Sequence, residues 1–365
     1  MAQHKIAVIP GDGIGSEVIA AGLEVLRTLE QRHPGLSLEI VSFDWGSDYY
    51  RTHGRMMPED GLEQLRSADA IYFGAVGDPD IPDDVTLWGL RLAICQGFDQ
   101  YANVRPARLL PGVTGPLRDA KPGDLDWIVV RENTEGEYAG AGGRVHPGFS
   151  EEVGIETSVF TRAGCTRIMR FAFKLAASRP KKQLTLVTKS NAQRHGMVLW
   201  DEIFWEVARD FPDVATDKEL VDAMTTRMTL KPGSLDVIVA TNLHADILSD
   251  LASALTGSLG LGPTANLNPE KAFPSMFEPI HGSGFDIQGK GIANPLAAFW
   301  SAALMLDHLG ESEASSQLMT AIEQAVAAGD ALPPDLGGQA TTADVTAAVC
   351  AFLTGRNRAA RGGET

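Results

Sequence analysis

The sequence has few cysteines and no excess of positive charge. Its 365 residues include three cysteines, Cys95, Cys165 and Cys350, which are widely spaced with no CxxC pair. An odd and dispersed set of this kind supports neither a disulfide framework nor a zinc site. The 47 acidic residues outnumber the 31 lysines and arginines, giving a formal charge of -16. Because contacts to phosphate groups need a basic surface, this charge argues against nucleic acid or an anionic membrane as a partner.

Long apolar runs are also missing. No segment approaches the roughly 20 apolar residues of a membrane-spanning helix, so no membrane association is expected. The first apolar run, KIAVIP, is interrupted at once by the glycines of GDGIG, which predicts that no targeting segment precedes the fold. Together with the cysteine pattern, this favours a cytoplasmic protein. The final residues, 356–365, are expected to form a disordered tail.

The length and the hydrophobic pattern predict the fold class. A chain of 365 residues exceeds what one hydrophobic core usually serves, so two domains are expected. Short β-branched runs alternate with amphipathic helical patterns, which is typical of an α/β fold with largely parallel sheets. Strands are predicted at residues 6–9, 38–42, 70–73, 127–130, 184–188 and 237–240. Helices are predicted at residues 16–31, 58–67, 161–177, 195–210, 246–256 and 295–309.

Two aspartates stand out at the junction of a predicted strand and helix. A strand-like run from Leu235 leads directly into a helix that carries Asp246 and Asp250. Residues four apart share one helix face, where two carboxylates repel unless solvent or a cation lies between them. The pair therefore indicates either a solvated helix face or half of a divalent-metal site. Its position at the carboxyl end of a strand, where α/β sheets bind ligands, favours the metal site.

Two glycine-rich loops could bind a phosphate-containing ligand. GDGIGSEV follows a strand and opens a helix, but Ser16 stands where the dinucleotide-binding fingerprint requires glycine, so it predicts only a tight turn. The second loop, HGSGFDIQGKGIANP, surrounds Asp286 with four glycines. Exposed backbone amides suit phosphates and a lone carboxylate suits a ribose diol. An ordinary surface loop would have the same composition.

Six motifs in order resemble those of the β-decarboxylating 2-hydroxyacid dehydrogenases, the family of isocitrate, isopropylmalate, tartrate and D-malate dehydrogenases. They are IPGDGIG, NVRP, VVRENTEGEY, TKSN, NLHADILSD and FEPIHGSGFDIQGKGIANP. Through DQYANVRP, RENTEGEY, TKSN and TANLNPE, the sequence most resembles the tartrate/D-malate branch. The resemblance implies a two-domain isocitrate/isopropylmalate dehydrogenase-like fold. Its cofactor-binding domain would be discontinuous (1–104 plus 262–355), and a substrate, metal and dimerisation domain (105–261) would carry an arm near 139–157.

The resemblance also implies roles for individual residues. Asp246 and Asp250, with Asp222 from the other subunit of a homodimer, would bind one Mg²⁺ or Mn²⁺, hard cations that prefer oxygen ligands. Lys189 would remove the hydroxyl proton, and Tyr138 would protonate the enolate left when CO₂ departs. NAD would be the oxidant, and K⁺ is a further candidate cofactor. The implied cofactor-binding residues are Glu278, His281, Gly282, Ser283, Gly284, Asp286 and Asn294.

The arginines that would bind the substrate depart from the family pattern at one position. Arg105 and Arg131 match arginines that hold a substrate carboxylate, for which guanidinium geometry is suited. The family has another arginine ten residues before Arg105, where this chain has Cys95. Arg91 stands one helical turn earlier on the same face. Either Arg91 supplies the missing guanidinium from a different direction, or it faces solvent.

These residues predict an enzyme that oxidises a small 2-hydroxy diacid, such as tartrate or D-malate, with or without decarboxylation. One alternative is an isopropylmalate or other alkylmalate dehydrogenase. An alternative of another class is a non-catalytic regulatory or binding subunit, like those found among isocitrate dehydrogenases. The presence of Tyr138, Lys189 and all three aspartates favours a catalytic protein.

Overall fold

The computed structural model describes residues 2–356. The tail predicted to be disordered therefore lies, apart from Arg356, outside the described residues. Within the described part of the chain, no helix combines the length and the apolar character needed to cross a membrane.

The described residues form one large sheet and one small one. The strands, in chain order, are β1 (Ala2–Gly11), β2 (Leu36–Ser42), β3 (Ala70–Ala75), β4 (Ala102–Arg108), β5 (Asp126–Glu132), β6 (Gly136–Val145), β7 (Val153–Val159), β8 (Gln183–Thr188), β9 (Ala215–Leu220), β10 (Val237–Ala240), β11 (Pro263–Leu267) and β12 (Ser275–Pro279). Ten strands form a sheet in the order β2-β1-β3-β12-β11-β4-β5-β10-β8-β9. Strand β11 is antiparallel to both neighbours and β4 is antiparallel to β5, whereas the other pairs are parallel. The predicted α/β class with largely parallel strands is confirmed.

Helices cover both faces of the large sheet. They are α1 (Gly15–Arg32), α2 (Ser47–His53), α3 (Gly61–Leu65), α4 (Asp83–Gly89), α5 (Arg91–Gly97), α6 (Arg162–Ser178), α7 (Gly196–Ala208), α8 (Val221–Leu230), α9 (Asn242–Leu255), α10 (Leu296–Leu309), α11 (Ser312–Ala328) and α12 (Thr342–Thr354). All six predicted helices have a counterpart. The helix expected at residues 58–67 is only the five-residue α3. The start predicted at Asp246 is wrong, because α9 begins at Asn242, directly after its N-cap Thr241.

Strand β10 shows why the central runs are continuously apolar. Its side chains alternate between two buried faces. Val237 and Val239 pack in the cluster that contains residues of α6 and α7, whereas Ile238 and Ala240 pack with residues of α8 and α9. The strand thus delivers the start of α9 to the carboxyl edge of the sheet.

The large sheet has two halves that differ in chain origin. Strands β2, β1, β3, β12 and β11 come from residues 1–104 and 262–355, and the remaining five come from residues 105–261, except that β4 crosses position 104. Pairing of β11 with β4 joins the halves, with Ala265 opposite Val104. The proposed domain boundary therefore falls inside a strand, and the two-domain division remains a prediction.

Strands β6 and β7 pair outside the large sheet. They form an antiparallel hairpin that contains most of residues 139–157, the segment predicted to be an arm. Several of its apolar side chains are exposed, and Phe149 is the most exposed at 71%. The strands of this hairpin are mostly exposed beyond residue 141, and two strands alone gain little stability in water, so this surface is suited to contact another chain.

Candidate active site

A pocket of about 200 Å³ lies where the two halves of the sheet meet, at the carboxyl ends of β3, β5 and β12. Open α/β sheets bind their ligands at this end of the strands. The lining combines three guanidinium groups with two carboxylates, a tyrosine and a histidine. The residues of this kind, all assigned from sequence, are Arg91, Arg105, Arg131, Asp246, Glu278, Tyr138 and His281, with Gly282 beside them.

Two arginines converge on one aspartate. Nη1 of Arg105 donates to Oδ1 of Asp246 at 3.2 Å, and Nη1 of Arg131 donates to the same oxygen. Arg105 is also held by Asn103 at 3.0 Å and by Ser249 at 2.6 Å. Burial lowers the pKa of Arg105 to about 10, and the nearby Arg131 acts in the same direction. Burial alone would raise the pKa of Asp246, but Arg131 and Arg105 lower it. The surplus of positive charge suits an anionic ligand.

Arg91 does not face solvent, so that alternative is wrong. Its side chain is 11% exposed, and its guanidinium pairs with Glu278 of β12. Burial acts to lower the pKa of Arg91, but Glu278 raises it above its usual value. One turn later on α5, Cys95 is fully buried in an apolar cluster, and burial raises the pKa of its thiol to about 11. Contact of Arg91 with a substrate remains a prediction.

Tyr138 lies beside the arginines. Its ring centre is 5.2 Å from Cζ of Arg131, which is a cation–π distance. The contact holds the ring at the pocket wall. The backbone oxygen of Tyr138 accepts a hydrogen bond from Nε2 of Gln96 at 3.5 Å, which links the start of β6 to α5.

Lys189 and Asp222 are not among the residues that line this pocket. Instead, Nζ of Lys189, just beyond β8, donates to Oδ1 of Asp222 in the first turn of α8. This hydrogen bond is the main reason why the pKa of Asp222 is lowered. Asp222 is 65% exposed and Lys189 29% exposed, so the pair lies at the surface of the chain. The structure therefore divides the predicted catalytic residues into two groups.

The two aspartates of α9 fit a divalent cation only in part. Asp246 and Asp250 lie one turn apart on this helix. Partial burial and the charge of Asp246 raise the pKa of Asp250, a repulsion that a bound cation would relieve. Within residues 2–356, no three His, Cys, Asp or Glu side chains form a cluster that could hold a metal ion. A third acidic ligand would have to come from another chain, as the assignment of Asp222 requires.

The two glycine-rich loops meet beside the pocket. Gly13 has a φ of +57°, and a Cβ there would lie 1.9 Å from the backbone oxygen of Ser283. That oxygen accepts a hydrogen bond from the backbone N–H of Ile14 at 2.7 Å. Asp12 is buried and accepts hydrogen bonds from Ser47 and Gly77, so it braces the turn. The close approach predicted for GDGIG is thus an approach to the second loop.

The remaining predicted cofactor residues have different surroundings. Asp286 is exposed, and Gly284 packs against Ile14. Asn294 is buried and donates to Asp335 at 2.8 Å. Nε2 of His281 is buried and has no hydrogen-bond partner within residues 2–356, and burial lowers the pKa of this imidazole. This unpaired nitrogen belongs to a residue that lines the pocket.

Sequence reasoning missed the polar residues beneath the arginines. Oδ1 of Asn266 accepts a hydrogen bond from Asn103 at 2.7 Å and from Asn133 at 3.1 Å, while its Nδ2 donates to Glu278 at 2.7 Å. Glu137 accepts hydrogen bonds from the start of α9. The four missed residues, Asn103, Asn133, Glu137 and Asn266, lie in the matched motifs NVRP, RENTEGEY and TANLNPE, which was the only signal available for them.

Comparison with known proteins agrees with this geometry. The family model described as isocitrate/isopropylmalate dehydrogenase matches residues 5–349. A protein of Agrobacterium vitis described as "Probable tartrate dehydrogenase/decarboxylase" is 68% identical over 357 residues, covering 98% of this chain and 99% of that protein. The D-malate dehydrogenase [decarboxylating] of Escherichia coli is 50% identical over 360 residues, covering 97% and 99%. The crystal structure of isocitrate dehydrogenase from Methylococcus capsulatus superposes with a TM-score of 0.87 at 34% identity, covering 96% and 99%. The chain belongs to the isocitrate/isopropylmalate dehydrogenase family.

Proposed function

We propose that the protein is an NAD-dependent dehydrogenase for a small 2-hydroxy diacid such as tartrate or D-malate, acting with or without decarboxylation. The observation that carries the proposal is the pocket in which Arg105, Arg131 and Asp246 meet Tyr138. The names of the two relatives support the same reaction class.

The chain supplies binding, orientation and proton transfer. Arg105 and Arg131 would hold a substrate carboxylate by paired hydrogen bonds. Lys189, from a second copy of the chain, would take the proton of the substrate hydroxyl at Nζ. Tyr138 would return a proton from its hydroxyl to the carbon that loses CO₂. In a homodimer of this kind, each site would combine residues of both subunits.

A divalent metal ion and NAD would complete the chemistry. Asp246 and Asp250, with Asp222 of the second copy, have the oxygen donors that suit Mg²⁺ or Mn²⁺. Such an ion would stabilise the negative charge that develops on the substrate oxygen, and NAD would accept the hydride. His281 and Gly282 of the second loop line the pocket and Asp286 is exposed, and these residues would contact NAD.

The test is the formation of NADH with a panel of diacids. Tartrate stereoisomers, D-malate, 3-isopropylmalate and isocitrate are supplied in turn, with Mg²⁺ or Mn²⁺ and with or without K⁺. We expect NADH with tartrate or D-malate and loss of activity after chelation of the metal. The Lys189→Ala variant, measured in parallel, controls for contaminating dehydrogenases. If the folded protein fails to form NADH with every diacid of the panel, the non-catalytic alternative replaces this proposal.

Cofactor preference gives a separate prediction. Asp286 is exposed and would accept hydrogen bonds from the adenosine ribose, while its charge repels a 2′-phosphate. We expect kcat/KM with NAD to exceed that with NADP by about 100-fold, because rejection of a phosphate beside a carboxylate costs a few kcal/mol. Asp286→Asn should reduce this preference for NAD, mainly by raising kcat/KM with NADP. Equal or better kcat/KM with NADP in the wild type would refute this role.

A further inference from the structure

Glu278 forms an ion pair with Arg91 at the wall of the pocket. Nε of Arg91 donates to Oε1 at 2.8 Å and to Oε2 at 3.1 Å, and Nη2 lies 2.6 Å from Oε1. Asn266 donates to Oε1 as well, at 2.7 Å. Both members of the ion pair are nearly buried, with side chains 11% and 5% exposed. A buried pair held by this many hydrogen bonds keeps one geometry.

The pair still presents one donor and one acceptor to the pocket. Among the hydrogen bonds of residues 2–356, none involves Nη1 of Arg91, and Oε2 of Glu278 accepts only from Nε of Arg91. Both residues line the pocket together with Arg105 and Arg131. A hydroxyl group both donates and accepts hydrogen bonds, so it matches this combination.

The charge of the pair distinguishes it from the other two arginines. Arg105 and Arg131 share the single carboxylate of Asp246 and keep a surplus of positive charge for a substrate carboxylate. Arg91 has a carboxylate of its own, so the pair is neutral overall. A carboxylate placed against it would be repelled by Glu278, and an alkyl group would leave the free donor and acceptor unpaired.

We propose that the Arg91–Glu278 pair recognises a hydroxyl on the carbon next to the one that is oxidised, and thereby selects 2,3-dihydroxy diacids. Diacids with hydrogen, an alkyl group or a carboxylate-bearing group at that carbon are disfavoured. This inference rests on the proposed function and deepens it by naming the substrate class. It also explains how this chain can have Cys95 where the family has an arginine, since Arg91 reaches the pocket from one turn earlier on α5.

The test compares substrates within each variant. We measure kcat/KM of the wild type for the tartrate stereoisomers, D-malate, 3-isopropylmalate and isocitrate, and expect one tartrate to be preferred over D-malate at least about 10-fold. Arg91→Leu should lower kcat/KM for that tartrate about 50-fold, because a hydrogen bond from a charged donor is lost. The value for D-malate should change less than about 5-fold, since D-malate has no partner for the donor.

Further variants separate recognition from folding. Glu278→Gln keeps the shape of the side chain and removes its charge, so kcat/KM for isocitrate relative to tartrate should rise about 10-fold. Arg91→Lys keeps the positive charge but loses the planar guanidinium group. Its kcat/KM for the preferred tartrate should lie between those of the wild type and Arg91→Leu. Cys95→Ala is the matched control on α5, and it should leave the substrate ratios unchanged. Thermal unfolding of each variant shows whether the fold survives.

The outcomes are distinct. Equal losses for tartrate and D-malate in Arg91→Leu or Arg91→Lys, or a wild type that prefers D-malate, overturn the recognition of the second hydroxyl while the proposed function stands. If the Arg91 variants do not fold, an unchanged isocitrate to tartrate ratio in Glu278→Gln overturns it. A wild type inactive on every diacid instead overturns the proposed function itself.

Discussion

Exchanging Asp246 for asparagine is expected to lower kcat/KM for the preferred diacid by about 10³-fold. The change removes the carboxylate that Arg105 and Arg131 share and one proposed ligand of the divalent ion. Removing one charged or polar group that acts on the reacting atoms typically costs about 10²- to 10³-fold in rate, and each ~1.4 kcal/mol in the barrier is a factor of ten. Steady-state kinetics at limiting and saturating Mn²⁺ measure the loss.

Asp250→Asn is the matched control for this prediction. The residue lies on the same helix face and undergoes the same chemical change, but no arginine donates a hydrogen bond to it within residues 2–356. If both aspartates bind the metal, saturating Mn²⁺ should restore much of the activity of Asp250→Asn and little of that of Asp246→Asn, where the arginines also lose their partner. Wild-type activity of Asp246→Asn at limiting Mn²⁺ would exclude the metal role.

The central strands and the long helices could be predicted because their local pattern agrees with their burial. Strand β10 has the predicted bounds, since four consecutive apolar residues are buried on two faces. Strands β4, β11 and β12 were not predicted. They carry buried polar residues such as Asn103, Asn266 and Glu278, whose types are depleted in β-strands. Tertiary hydrogen bonds satisfy these groups, and such partners are invisible to a local pattern.

The candidate active site, too, could be predicted only in part from local sequence patterns. The motifs predicted Arg105, Arg131, Tyr138 and Asp246, and the structure places them in one pocket. The pairing of Arg91 with Glu278 could not be predicted, because the two residues are 187 positions apart. Arg91 lies in none of the matched motifs, and the motif that contains Glu278 specifies no partner for it. The spacing that placed Arg91 and Cys95 on one helix is confirmed by α5, although Cys95 is buried in the apolar cluster and only Arg91 lines the pocket.

Two inactive variants are expected to restore activity when their subunits mix. Tyr138 lines the pocket, whereas Lys189 and Asp222 pair outside it, so a complete site would take these groups from different copies of the chain. Lys189→Ala and Tyr138→Phe should each be nearly inactive as homodimers. After random exchange, half of the dimers are hybrids and one of the two sites in each hybrid is intact, which gives about a quarter of wild-type activity.

The control for subunit exchange uses two residues on the same side of the proposed interface. Lys189→Ala mixed with Asp222→Asn places one defect in each site of every hybrid, because both residues would be contributed by the same subunit. This mixture should stay inactive, while Lys189→Ala with Tyr138→Phe recovers. Exchange is verified by mass spectrometry of the native dimers, and activity is followed as NADH formation. No recovery in either mixture, once hybrids have formed, would show that each chain builds its site alone. Recovery in both mixtures would show that Lys189 and Asp222 of one chain serve different sites.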